Sequence, residues 1–264
     1  MPFTLSHTVA VFPLKKHCPR HLDFLALLLG SMTPDLPYYW HDFILASKSH
    51  SLLGSFVLCV PLGLAAYLTI KYFSKQIAEY SFSPFREFLE ELGSAKLKPA
   101  SITISLLIGA WTHNLWDGFT HSKGWFVCRF PILKTPLQDL LPFTLRGTEL
   151  IPTYSILQHT STFIGLIIIA FALKRYYRPQ RIKKSLPESK VLYLWLAIVV
   201  ASITVFSIQF LPQLNATLAE PQLLRRYVFF AVVALVRNAV LLFALCVVWK
   251  HVLDKMGVNK PLDS

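Results

Sequence analysis

The sequence predicts an all-α fold, a polytopic helical membrane protein with about five transmembrane helices and an N-terminal cap of short or re-entrant helices. Apolar residues make up 54% of the 264 positions and charged residues only 15%, where a soluble domain carries about 25% charge. Mean hydropathy is +0.49. The apolar residues also come in blocks near the roughly 20 residues needed to cross a hydrocarbon core.

Each element follows in order. Residues 1–50 form a polar and aromatic cap with two short helical segments, Thr4–Leu14 and Leu22–Met32, the second stopped by Pro34 and Pro37. Ser51–Ile70 is an uncharged first span. The loop Lys71–Ala100 contains an amphipathic surface helix at Phe85–Leu92. Ile102–Phe119 is a second span, interrupted by His113, Asn114 and Asp117, and a proline-bearing loop, 120–154, follows it. Ser155–Leu173, broken by Gln158 and His159, Val191–Leu211 and Tyr227–Trp249, with Arg237 its single charge, complete the five. A short loop, 212–226, joins the last two. The chain divides into a membrane-embedded His/Asp motif region, 1–175, and a C-terminal pair of spans with its basic linker, 176–264.

The net charge of +12 is placed topologically. Seven basic residues crowd between Lys174 and Lys190, with Glu188 the single acid among them. Basic loops beside spans mark the cytoplasmic side. A nucleic-acid surface would need a soluble face, and no soluble domain is expected. With 174–190 cytoplasmic, His50 sits at the outer end of the first span. His113, Asp117 and His121 then approach the outer end of the second, and His159 that of the third. Lys15, Lys16 and Arg20 resist crossing, so the segment 22–40 is expected to be re-entrant or interfacial rather than a continuous span. The start lacks a signal-peptide pattern and reads as part of the mature protein. The cysteines show no CxxC spacing, and neither a zinc ribbon nor a disulfide framework is expected.

The candidate chemistry lies in the interruptions. His113, Asp117 and His121 are spaced i, i+4, i+8, which puts them on nearly one helix face. Imidazole and carboxylate at that spacing can ligate one divalent metal or two adjacent ones. They can also form a proton or ion path, or a polar cluster that joins helices. A carboxylate in an apolar run is costly without a partner. His7, Asp35 and His50 offer the same ligand types, though Asp35 between two prolines could equally be a turn residue. His159, at the head of a span, is a further candidate. Arg237 should face the bundle interior, where it could offset Asp117 or hold a phosphate.

The start Met1-Pro2-Phe3-Thr4-Leu5-Ser6-His7, with Gly30-Ser31-Met32-Thr33-Pro34-Asp35, resembles a bacterial membrane family catalogued as domain of unknown function 4184. His50-Ser51-Leu52-Leu53-Gly54, Thr112 through His121 and Leu157 through Thr162 carry the same resemblance, which spans most of residues 1–175. More distantly, the order His, Asp, His-Ser, His-x-x-x-Asp and a further His is similar to inner-membrane metal-dependent hydrolases and to zinc-dependent phospholipases C. That likeness implies zinc held by His7, Asp35, His50, His113, Asp117 and His121, with Asp35 orienting or deprotonating water. It also implies a phosphoester or phospholipid headgroup as substrate and the bacterial plasma (inner) membrane as setting. The secreted enzymes add a terminal-amine ligand and a His-x-x-x-Glu pair. Here Met1 is not a processed terminus and Phe163 stands four residues past His159, which favours one or two metals over three. A transporter or ion-handling protein using a His/Asp relay, and a non-catalytic structural membrane protein, are the alternatives.

Overall fold

The computed structural model describes residues 4–18, 21–96, 98–136, 151–176, 188–218 and 221–256. Every element of any length among them is helical, and extended pairing is confined to one bridge between Pro136 and Pro152. Four helices are long and apolar enough to cross a membrane, Leu52–Tyr72, Thr153–Arg175, Ser189–Ile208 and Tyr227–Lys255. The chain is a multi-pass membrane protein.

The N-terminal segment is a 3-10 helix, Thr4–Val11, running into α1, Phe12–His17. After α2 (Phe24–Gly30) comes a second 3-10 helix, Thr33–Trp40, then α3 (Phe43–Ser49) and α4 (Leu52–Tyr72). Short helices α5 (Ser74–Glu79) and α6 (Phe85–Ser94) precede the long α7 (Pro99–Thr120) and the short α8 (Trp125–Arg129). The chain closes with α9 (Thr153–Tyr176), α10 (Glu188–Leu218) and α11 (Pro221–Lys255).

One expectation holds and two change in detail. The segment 22–40 is broken as expected, because Pro34 opens a 3-10 turn and Pro37 lies inside it, where neither can donate to an α-helical ladder. The fifth apolar segment is α7, whose 22 residues match the spans in length. It does not count with the four by composition, because His113, Asn114 and Asp117 occupy its second half. Residues 212–218 and 221–226, expected as loop, continue α10 and α11. Most of the basic linker, 177–187, and part of the 120–154 loop, 137–150, lie outside the described residues.

The chain forms two compact units, 1–68 with 96–176, and 69–95 with 177–264. In the first, α2 and α7 pack at backbone distance. A Cβ on Gly30 would collide with the Leu106 carbonyl, and one on Gly109 with the Leu27 carbonyl. Only hydrogen fits at those crossings. Asp23 fixes the same layer: its carboxylate caps α2 through the Ala26 amide at 2.9 Å and accepts from the Tyr67 hydroxyl at 3.0 Å. Its own amide donates to Ser105 Oγ at 2.8 Å. On the other side of the unit, Gly165 of α9 meets Ser6, seating the first 3-10 helix. In the second unit, Lys71 Nζ reaches the carbonyls of Leu92 (2.7 Å) and Ala95 (2.6 Å), satisfying the C-terminal end of α6. Trp195 of α10 donates to the Tyr80 carbonyl at 2.9 Å and stacks on Phe243 of α11.

Gly109→Ala should therefore destabilise the protein by about 1–3 kcal/mol through forced separation of α2 and α7. Gly63→Ala, whose added methyl meets the movable Leu106 side chain, should cost less. Thermal unfolding of both variants in detergent, side by side, measures the difference.

Candidate metal centre

The α2–α7 contact determines where His113 points. Its ring Nδ1 lies 2.8 Å from the carbonyl of Ser31, the residue that ends α2. A carbonyl oxygen only accepts, so Nδ1 carries a proton and Nε2 is the nitrogen that faces inward. His50 repeats the arrangement at the end of α3, with Nδ1 2.7 Å from the Ala46 carbonyl. A backbone acceptor behind an imidazole is how metal-ligating histidines are generally fixed.

The second 3-10 helix delivers Asp35. Ser49 Oγ donates to the Pro34 carbonyl at 2.7 Å and ties that helix to α3. Thr4 Oγ1 donates to Asp35 Oδ2 at 2.8 Å, leaving Oδ1 facing the rings. Oδ2 is thus taken by Thr4, while Oδ1 is left toward the imidazoles in a side chain only 1% exposed.

Asp117 faces its partners with both oxygens. Oδ2 stands 3.4 Å from His50 Nε2 and 3.4 Å from His113 Nε2. Asp35 Oδ1 is 3.5 Å from each of the same two nitrogens. Asp117 Oδ1 is 3.5 Å from His7 Nε2 and 3.4 Å from His121 Nδ1. All six sequence candidates therefore converge, including His7, whose topology the sequence left open. His121 arrives by a different route from the expected one. The helix ends at Thr120, and His121 caps it with extended backbone (φ −118°, ψ 142°), its ring turning back toward Asp117. His159 lies exposed on α9, although Gln158 beside it is buried. Arg237 belongs to the second unit, in α11, half-buried.

These separations are informative in themselves. A charge-assisted N–H···O bond closes to about 2.7–2.9 Å. Four donors arranged tetrahedrally around an ion with bonds of about 2.0–2.1 Å stand roughly 3.4 Å apart. Asp35, His50, His113 and Asp117 each offer one atom within 4.8 Å of the others. His113 Nε2, Asp35 Oδ1, His7 Nε2 and Asp117 Oδ1 are buried without a hydrogen-bond partner. Buried polar atoms are almost always satisfied, so the orphaned His113 Nε2 and Asp35 Oδ1 within the four-residue set fit a cation.

The charge of the site follows. Burial opposes a proton on His50, but the Asp117 and Asp35 carboxylates outweigh it and hold the ring up to about 9. Burial, reinforced by His113 stacked at 3.9 Å, pushes His7 down to about 3, so that ring is neutral.

Residues 1–249 match the family described as domain of unknown function DUF4184. The chain belongs to that family. The match extends well past the motif region into the last helix of this DUF4184 protein. No curated protein and no solved structure matches it. The residues missed from sequence are those behind the site: Thr4, and the carbonyls of Ser31 and Ala46. Thr4 stands in the N-terminal motif, but carbonyls leave no trace in a sequence.

Thr4→Val keeps the shape and removes the hydrogen bond to Asp35. Zinc affinity should fall about 10–100-fold, the usual cost of losing an outer partner, measured by competition with a chelating dye. Below about pH 9 a zinc ion must displace the His50 proton. Apparent affinity should therefore rise steadily with pH from pH 6 to 8; a flat profile would contradict it.

Proposed function

We propose that this protein is a membrane-embedded, metal-dependent hydrolase of a phosphoester, with zinc as the metal and a lipid headgroup as the favoured substrate. The observation that carries the reading is the set Asp35, His50, His113 and Asp117, with donor atoms at 3.4–3.5 Å and two of them, Asp35 Oδ1 and His113 Nε2, orphaned in the interior. Two imidazoles and two carboxylates suit zinc or manganese. A bound ion of this class polarises a phosphoryl oxygen and makes water acidic enough to attack near neutral pH.

The chain's own contribution is positional. Asp35 and Asp117 supply the negative charge that holds the ion. His50 and His113 are locked in the ligating tautomer by Ala46 and Ser31. His113 and Asp35 form the closed floor, at 0% and 1% side-chain exposure. His50 at 21% and His121 at 31% form the open side through which solvent and substrate enter. Trp40, Ile44, Leu52 and Leu53 flank Asp35 and His50 along the chain and are strongly exposed, which suits a substrate whose tails stay in lipid. Hydrolysis on this reading forms one P–O bond to water and breaks one to the leaving alkoxide, which takes up a proton. The bacterial plasma membrane is the setting the reading implies.

A helix-joining polar cluster would close its pairs to hydrogen-bonding distance. A transport relay would string them across the bilayer rather than gather them around one centre.

Detergent-purified protein loaded with zinc and desalted should retain the metal. It should also hydrolyse a chromogenic phosphodiester or phospholipid in mixed micelles, and chelation should abolish the activity. His113→Ala and Asp117→Ala should lose bound zinc and reduce turnover by at least about a thousandfold, several kcal/mol of transition-state stabilisation. Folded wild-type protein that takes up no metal would sink the proposal. Zinc flux into proteoliposomes without hydrolysis would replace it with the relay.

A further inference from the structure

The four-donor set uses only half of Asp117. Its Oδ2 faces His50 and His113, while Oδ1 faces away from that pair toward His7 Nε2 at 3.5 Å and His121 Nδ1 at 3.4 Å. These are the same long separations found around the first centre. His7 Nε2 and Asp117 Oδ1 are buried without hydrogen-bond partners, and the His7 side chain is 1% exposed. His121 Nδ1 also lies 3.3 Å from the Asp117 carbonyl, but that oxygen already accepts the His121 amide at 3.1 Å. A ring contact of 3.3 Å to Thr120 Oγ1 is its other neighbour. Neither long contact accounts for the orphaned carboxylate oxygen or for His7.

We infer that the site is built for two divalent cations, with Asp117 bridging them, and that His7, His121 and Asp117 Oδ1 form the second position. This rests on the metal reading proposed above and divides its ligands. The first position has four protein donors, whereas the second has three and so keeps an open place for exchange with solvent. The open place falls on the side of His121, the most exposed of the six at 31%, with His7 at 1% behind it. A bridging carboxylate holds two ions at the separation of about 3.5–4 Å used by enzymes that act on phosphoesters.

Charge favours the same division. One divalent ion merely cancels the two carboxylates. The site would then be neutral at the ends of α2, α3 and α7, where the helix dipoles place partial negative charge. A second ion gives the surplus positive charge that an anionic phosphoester requires. His7 is also stacked on His113 at 3.9 Å, which seats the ring beside the first position.

The experiment is metal stoichiometry on the full chain in detergent, by elemental analysis after zinc loading, with manganese electron paramagnetic resonance as a second readout. Wild-type protein should hold about two ions and give a spin-coupled manganese spectrum. His121→Ala, at a partly exposed helix end, and His7→Gln should each hold about one ion and give an uncoupled signal. His113→Ala should lose the first position. One ion in wild-type protein, unchanged in His7→Gln and His121→Ala, would overturn the two-ion inference while leaving the hydrolase reading intact. No ion at all would remove both. Thermal unfolding of each variant checks folding, and where His7→Gln fails to fold, His121→Ala alone decides.

Discussion

Asp117 sits three residues from the end of an apolar helix, where a carboxylate without partners would cost several kcal/mol of lost hydration. It is tolerated because four imidazoles stand within 3.5 Å of its two oxygens. Those imidazoles come from three places in the chain: the first 3-10 helix, the end of α3, and α7 with its cap. The carboxylate is therefore also a constraint on the fold, since each of those segments must end beside it. Much of the first unit can be read as the means of bringing them there.

That means is mostly backbone. Gly30 and Gly109 let α2 and α7 touch main chain to main chain, and that contact places the Ser31 carbonyl behind His113. Pro34 and Pro37 prevent a continuous helix over 22–40, so the chain turns and presents Asp35 sideways. Gly165 lets α9 press on Ser6 and seats the helix that carries His7. Small residues and prolines in apolar segments usually weaken them. Here each such weakness is a close approach or a turn that aims a ligand. A membrane protein gains little from burying one apolar helix against another in lipid, so close contact of this kind holds the helices together as well as positioning the site.

The sequence made the class of the fold legible, because length and apolarity of spans are local properties. It also made His113 and Asp117 legible, since i, i+4 spacing on a helix is enough to join them. His121 was legible as a residue and misread as geometry: helical periodicity was extended one residue past the true end, and an extended cap brings the ring back instead. The polar half of α7 was legible too, since a carboxylate in an apolar run commits one face to partners within the protein. His7, Asp35 and His50 could be named by residue type and motif. Their convergence could not be derived, because it depends on backbone contacts at Gly30, Gly109 and Gly165 between segments far apart in sequence. Thr4 and the Ser31 and Ala46 carbonyls were invisible for a simpler reason. A hydroxyl next to a motif has many uses, and every residue has a carbonyl.

The location of the cluster also bears on what it can recognise. Ser31, His50 and His121 are the C-cap residues of α2, α3 and α7. A helix end of that polarity attracts cations and repels anions, the reverse of the N-terminal ends on which phosphate groups are usually held. With two carboxylates added, the protein by itself is an unfavourable host for any phosphoester. On the hydrolase reading proposed above, such a substrate binds only through cations the site has first collected, and metal loading and substrate recognition are then one property rather than two. An apo protein of this design should be inert toward anionic ligands as well as inactive.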